Sequence, residues 1–333
     1  SKDLGRILHG PPAERYRNIM DETELEAKAF DDQIRERVKH GHIPDLREVK
    51  PCDYFYSNPW RRPELVQLDM GDSFQLILKS IQNYSKSSPK DTRILEVGCG
   101  PGYMSLELAR YQYQVTGLDL SSACLDLARE LSQNDPYRDS KDNLRYLMAN
   151  FTDPDTLKDE KFNVVLFFGS LHHFAKQDHV MAKVQRILNS EGLVVVHEPA
   201  RDRYNEGNVA LSHLVRTLLS ATDSFYKESA VPSGKKLNHE LEALMAELKY
   251  EDDSGAGVQS ANDNEAGFVE MYDALNKNFT ELHFEDRYAF FHEIIGGIRL
   301  DDEKTFRLAR YLRDIDAILC KKGVVKATEF FYI

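Results

Sequence analysis

From residue 93 onward the chain alternates two kinds of apolar pattern. Short runs of strand length, RILEVGC (93–99), YQVTGLDL (113–120), LRYLMAN (144–150), FNVVLFFG (162–169) and GLVVVHE (192–198), are separated by stretches with helical spacing. One such stretch follows the glycines that close the first run. In the next, Cys124, Leu127, Ala128 and Leu131 share a face; before the fifth run, Val180, Met181, Val184, Ile187 and Leu188 do so. FNVVLFFG is apolar without interruption, as suits a strand covered on both faces. Strand and helix in alternation predict an α/β fold with a doubly wound, mostly parallel sheet.

The flanking regions read differently. Residues 1–63 are polar and punctuated by HGPPAERY and YSNPWRRPE, with a helix expected from about 12 to 39. They form a lead-in segment that covers the main domain, and the core proper runs over 64–200. Its first helix is predicted over 64–84, where Phe74, Ile77, Leu78 and Ile81 recur at helical spacing. After Pro199 helices are expected near 209–222 and 237–249, and then a small, acidic loop at 251–267. This 201–278 stretch reads as a helical cap insertion. Residues 279–333 close the core: a strand within 279–291, a helix over 303–319 and a final strand in KATEFFYI.

Composition narrows the function. The 333 residues suffice for one large α/β domain or a core with a cap, and 41% hydrophobic with 29% charged residues fits a chain with a sizeable core. The net charge of -12 opposes a nucleic-acid partner, which needs a basic field. Cys52, Cys99, Cys124 and Cys320 form no CxxC pair, so reduced thiols are expected rather than disulfides or structural zinc. With no long apolar stretch and no signal-peptide pattern at its start, the chain is expected to be cytoplasmic and not to bind membranes.

The candidate chemistry starts at ILEVGCGPGYMS (94–105). A strand ending in Gly98-Cys99-Gly100-Pro101-Gly102 must turn sharply into a helix whose first N–H groups face outward. Asp119, at the end of the second strand, is suited to accept two ribose hydroxyls, or alternatively to cap the helix that begins at Ser121 and Ser122. The dinucleotide fingerprint is G-x-G-x-x-G; here the pattern is Glu96-x-Gly98-x-Gly100-x-Gly102. A carboxylate at Glu96 would repel a phosphate and attract an ammonium. That points to a cofactor carrying an amino acid and disfavours a nicotinamide dinucleotide.

The stretch resembles the first motif of the class I S-adenosylmethionine-dependent methyltransferases, an acid followed by GxGxG, and the likeness runs from roughly 91 to 200. The resemblance implies a seven-stranded Rossmann-like sheet whose last two strands form an antiparallel hairpin, separated here by a helical insert at about 292–322. It implies S-adenosylmethionine as cofactor and S-adenosylhomocysteine as product, with no metal. Glu96, Gly98, Gly100, Gly102 and Tyr103 would lie under the methionine part and ribose, and Asp119-Leu120 would hold the ribose. Asn150-Phe151 would meet the adenine, Asn150 through its carbonyl in place of the family's usual Asp. Phe168, in FFGSLHHF, would border the methyl group.

Methyl transfer to a hydroxyl needs alignment and a base. His172 or His173 stands where such a base belongs, and Glu198 at the end of the neighbouring strand can orient it, as in small-molecule O-methyltransferases with a His–acid dyad. Both histidines can equally be structural, and His197 is expected to pack in the core. The Asn-Pro-Pro-Tyr of methyltransferases acting on nucleobases or glutamine amides and the paired glutamates of protein arginine methyltransferases are absent, which favours a small-molecule acceptor and, with a base, oxygen as the acceptor atom. N- or C-methylation by positioning alone, and cofactor binding without catalysis, are the rival readings. Tyr56, Trp60 and Arg61 are expected in a lid near cofactor or substrate, and Arg201 and Tyr204 near the substrate. The apolar faces of the added helices suit core packing, a bulky substrate or a homo-oligomer.

Overall fold

The computed structural model describes residues 22–227, 231–249, 260 and 265–333. The predicted helix start before residue 22, the proline pair in HGPPAERY and most of the acidic 251–267 loop lie outside the described residues.

The strands are β1 (Arg93–Val97), β2 (Gln114–Asp119), β3 (Leu144–Met148), β4 (Phe162–Phe168), β5 (Leu188–Pro199), β6 (Phe284–Arg287) and β7 (Glu329–Tyr332). They form one sheet of order β3-β2-β1-β4-β5-β7-β6, parallel except for β7, which runs antiparallel to both its neighbours. The helices are α1 (Glu22–Lys39), α2 (Pro63–Val66), α3 (Asp72–Tyr84), α4 (Tyr103–Arg110), α5 (Ser122–Asn134), α6 (Gln177–Ile187), α7 (Glu206–Ser220), α8 (Lys235–Lys249), α9 (Phe268–Asn278), α10 (His292–Ile295) and α11 (Asp302–Lys321).

Strand periodicity sorts the core into two layers. Leu95, Val97, Val165, Phe167, Val194 and Val196 face α6 and α9, while Ile94, Val164, Leu166, Leu193 and Val195 face α3 and α4. Both layers are buried, which explains the uninterrupted apolar run in β4. A third cluster joins α10 and α11 to Leu65 and Phe225, and a small fourth one joins Tyr204 and Val209 to α8.

The helix expected over 64–84 is interrupted. Residues Gln67–Gly71 form a π turn between α2 and α3. A Cβ at Gly71 would lie 2.7 Å from Gln67 Oε1, and the Gln67 amide is tied to Leu46 O. The wider turn makes room for that side chain and leaves Asp69 buried.

The segment before α2 is bolted to the core by charge. The Arg110 guanidinium, buried on α4, donates to Asp45 (2.7 and 2.8 Å), Glu107 (2.8 Å) and Asp135 (2.8 Å), while Arg47 reaches Glu107 at 2.7 Å. Three carboxylates around one buried cation hold Asp45, and with it the chain after α1, against α4.

Candidate functional site

The bend after β1 turns on Gly98, Gly100 and Gly102, at φ of 70°, 52° and 80°. Gly98 is required by packing as well as by its dihedral: a Cβ there would lie 2.6 Å from Ser170 Cβ. At Gly100 no atom of the described residues lies within 4 Å of the added carbon, so the bend there borders space that a ligand can fill. Asp119 closes the bend from the β2 side, its Oδ2 accepting from Gly100 N at 2.7 Å and its Oδ1 from Ser121 N at 2.8 Å. Burial raises its carboxyl, and those backbone donors and the nearby His173 oppose the rise.

Glu96 lies buried under the bend with the Ser105 hydroxyl as its donor. Burial, reinforced by the Asp119 charge, pushes its carboxyl up to about 8 against the Ser105 hydrogen bonds. An ammonium group brought to this place would reverse that shift.

The second half of the site hangs on Glu198, fully buried at the end of β5. Its Oε1 accepts from Ser170 N (2.8 Å) and Leu171 N (2.7 Å), and its Oε2 meets His172 Nδ1 at 2.7 Å. One carboxylate thus fixes the turn after β4 and the imidazole it carries. Gly169, which begins the turn, has φ 60°, and no atom of the described residues lies within 4 Å of a Cβ added there. His173 turns the other way: its Nδ1 lies 3.2 Å from Glu26 Oε1 and its ring meets the edge of Phe30, both on α1.

Helix α1 runs along this edge. Asp31 accepts from Ser121 Oγ (2.6 Å), Ser122 Oγ (3.1 Å) and Ala123 N (2.9 Å), capping α5 from outside. In its last turn Arg37 is half-buried, and its charge is felt by Tyr103, Tyr54 and Cys124. Burial lowers its pKa, and among the described residues it has no carboxylate partner; its guanidinium lies 5.7 Å from the Phe55 ring centroid. His42, buried and then repelled by Arg37, is pushed down to about 3. Sequence reasoning missed Arg37 because α1 is charged on most faces.

Residues 95–196 match the family model described as a methyltransferase domain. This core belongs to the class I S-adenosylmethionine-dependent methyltransferases. The mitochondrial ubiquinone biosynthesis O-methyltransferase of Candida albicans is 34% identical over 112 residues, 33% of this chain and 33% of that protein. The ubiquinone biosynthesis O-methyltransferase of Pelagibacter ubique is 27% identical over 122 residues, 36% of this chain and 48% of that one. The chain therefore spans a third to about half the length of these curated relatives. Among solved structures, a geranyl diphosphate C-methyltransferase from Streptomyces coelicolor is similar over 94% of this chain and 97% of its own, at 11% identity and a TM-score of 0.48. No helix among the described residues is long and apolar enough to cross a membrane.

In this methyltransferase core several expected contacts fall elsewhere. Asn150 Oδ1 is taken by the backbone N–H (2.9 Å) and hydroxyl (2.7 Å) of Thr152, and its Nδ2 faces Thr23 Oγ1 at 3.5 Å. With both lone pairs used in an Asx turn, the side chain offers a donor rather than the expected carbonyl. Phe151 is a core residue between Phe167 and Phe174 with Lys183 over its ring, so it does not stack on a ligand. The apolar side chains at that end are Leu120, half-buried, and Met148, which is 58% exposed and registers with Asp119.

Tyr103 and Phe168 form a wall, ring to ring at 6.2 Å, continued by Trp60 on one side (5.3 Å) and His197 on the other (5.1 Å). His197, expected as simple core packing, also lies 3.2 Å from Glu329, which His292 (3.0 Å) and Arg287 (2.7 Å) surround as well. Tyr56, Arg61, Arg201 and Tyr204 do not converge on the dyad. Tyr56 packs on Tyr226, and Arg61 donates to the carbonyls of Gly296 and Ile298. Tyr204 donates to Glu293 at 3.2 Å, and Arg201 reaches Leu248 O at 3.3 Å, so both fasten the cap helices.

Proposed function

We propose that the protein transfers a methyl group from S-adenosylmethionine to a hydroxyl oxygen of a small molecule, with His172 as general base and Glu198 as its orienting partner. The 2.7 Å contact between His172 Nδ1 and Glu198 Oε2, beside the glycine bend, carries this reading. A proton held on Nδ1 by the carboxylate leaves the basic lone pair on Nε2. The space at Gly100 and Gly169, the acid at Asp119 and the Arg37 cation, which has no carboxylate partner among the described residues, suit the cofactor's shape and charges. When bound, S-adenosylmethionine supplies an electrophilic methyl group on a sulfonium and departs as S-adenosylhomocysteine.

The chain's own residues divide the remaining work. Asp119 holds the ribose hydroxyls, Glu96 receives the ammonium and Arg37 the carboxylate, while Leu120 and Met148 flank the base. The wall of Tyr103 and Phe168 keeps water from the methyl group. His172 Nε2 takes the acceptor's proton as its oxygen attacks, and Glu198 stabilises the imidazolium that results. Residues 1–63 act as lid and 201–278 as acceptor cap. Oxygen as the acceptor atom is supported by the ubiquinone biosynthesis O-methyltransferases among the relatives. The test is product analysis: the protein, S-adenosylmethionine and a panel of phenols, carboxylic acids, amines and sugars are incubated, and methylated products are identified by mass and NMR. Methyl ethers or esters support the reading. Only N- or C-methyl products, or cofactor binding with no product from any acceptor class, would overturn it.

A further inference from the structure

The stretch CDYFYSNPWRRPE has a second set of residues that the methyl-transfer site does not use. Trp60 turns toward Tyr103, but Arg61 donates to Gly296 O (3.0 Å) and Ile298 O (2.9 Å). Arg299 Nη1 donates to the same two oxygens, at 3.1 Å each, and its Nη2 to Tyr56 O. Shared acceptors hold two guanidinium groups side by side. Arg62 adds a third cation, its Nη1 on Arg61 O at 2.8 Å and on Asp53 Oδ1 at 3.0 Å.

The opposing acids are few: Asp53, whose side chain is 90% exposed, and Asp302, which acts on Arg61 from further off. Burial and then the charges of Arg299 and Arg62 lower Arg61 to about 10, and burial followed by Arg62 lowers Arg299. Both carbonyls are already met by Arg61, so Arg299 brings a second cation to them while taking Tyr56 O as an acceptor of its own. Three cations thus face one exposed carboxylate and one more distant one, and in a chain of net charge -12 such a local excess is a site short of an anion. At its rim stand Tyr56, 61% exposed, and Tyr226, their rings 5.4 Å apart, with the Arg299 guanidinium 6.0 Å from the Tyr226 ring centroid.

We propose that Arg61, Arg62 and Arg299, with Tyr56 and Tyr226 at the rim, bind a phosphate-type oxyanion carried on a ligand with a flat or apolar body. The oxyanion would take the N–H groups that these carbonyls and Asp53 leave, on Arg61 Nη1, Arg299 Nε and the Nε and Nη2 of Arg62, and tyrosine faces receive the attached body. The site does not depend on the methyltransferase reading.

Calorimetric titration of the full chain with inorganic diphosphate, with and without S-adenosylhomocysteine, tests it. Binding should persist when S-adenosylhomocysteine is present. It should weaken about tenfold in Arg62→Gln and in Arg299→Gln, the loss of one charge-assisted hydrogen bond. Asp53→Asn, an exposed change that leaves the fold alone, should tighten it a few-fold, which keeps the test decisive even if Arg299→Gln unfolds. Phenyl phosphate should bind more tightly than inorganic phosphate if the rim receives the body. No binding of diphosphate at about 10 mM, corresponding to under roughly 3 kcal/mol, overturns the site. So does binding that S-adenosylhomocysteine abolishes, or an affinity that neither Arg62→Gln nor Asp53→Asn moves. Equal affinity for phenyl phosphate and phosphate overturns the role of the tyrosines.

Discussion

Two carboxylates at neighbouring strand ends, one buried and one part-buried, are held in opposite ways. Glu198, on β5, is met by two backbone N–H groups and one imidazole; Glu329, on β7, by two imidazoles and a guanidinium. Backbone donors fix a carboxylate in position, because the strand and turn that carry them cannot rotate away. Side-chain cations fix it in charge and, through their long stems, tie separate segments together. The first arrangement suits chemistry, which needs an imidazole aimed within tenths of an ångström. The second suits closure of a fold, here joining β7 to β5, β6 and α10. Glu96 belongs to neither class. Its donors come from a single residue, Ser105, and its carboxyl, raised to about 8, is left for a ligand to complete.

The sharpest way to break this contrast is to exchange the consequences. His172→Ala should lower turnover by roughly 10²–10⁴ while leaving S-adenosylhomocysteine affinity and melting temperature near wild type, as loss of a general base does. Unchanged turnover would remove Glu198 from the chemistry. Glu329→Gln should instead cost about 1–3 kcal/mol of stability, because Arg287 and His292 lose a shared acidic partner and keep Asp72 and Asp69 on their other sides. Denaturant unfolding checks this, and a change below 1 kcal/mol would show that the junction is not held by charge.

The same variant sharpens the contrast in pH. Neighbouring cations hold Glu329 well below the usual carboxylate range, so its contribution is present above the ordinary carboxylate pKa and is lost as pH falls through the lowered value. Glu329 and Asp69 overcome burial to hold His292 well above the usual imidazole value, so its contribution is full below the ordinary imidazole pKa and is lost as pH rises through the raised one. Wild type should therefore unfold least readily at mildly acidic to neutral pH. Glu329→Gln should flatten both limbs, and two parallel stability curves would contradict the assignment.

Smaller effects are expected at the cofactor end. Arg37→Gln should weaken S-adenosylhomocysteine about tenfold, the worth of one charged hydrogen bond, without changing the affinity for methylthioadenosine, which lacks the carboxylate. Equal losses for both would place Arg37 in folding instead. Glu96 responds through pH: below about pH 8 it holds a proton that an arriving ammonium expels. Affinity should then rise with pH by up to about tenfold per unit, and titration in buffers of different ionisation enthalpy should detect the released proton. Zero release at pH 7 would mean that the ammonium lies elsewhere.

What the sequence made legible was what local pattern controls. The five parallel strands, the bend at Gly98–Gly102 and the pairing of His172 with Glu198 all follow from strand ends and turn spacing. What it hid depends on contacts between distant segments. The apolar spacing of 64–84 continues through the π turn, so nothing local announced that Gln67 would reach Leu46. Phe151 was assigned to the ligand by position, yet the core between β4 and α6 took its ring. Arg61 and Arg62 look like a pair in the chain, but only the fold brings Arg299 to the carbonyls of 296 and 298 that Arg61 also meets. Arg37 was invisible because a polar helix gives no sign of which charge will lack a partner.

Asp31 belongs to α1 but completes the first turn of α5. A movement of α1 away from the core would strip three hydrogen bonds from the start of α5, so any opening on this side would have to be matched by fraying of that helix.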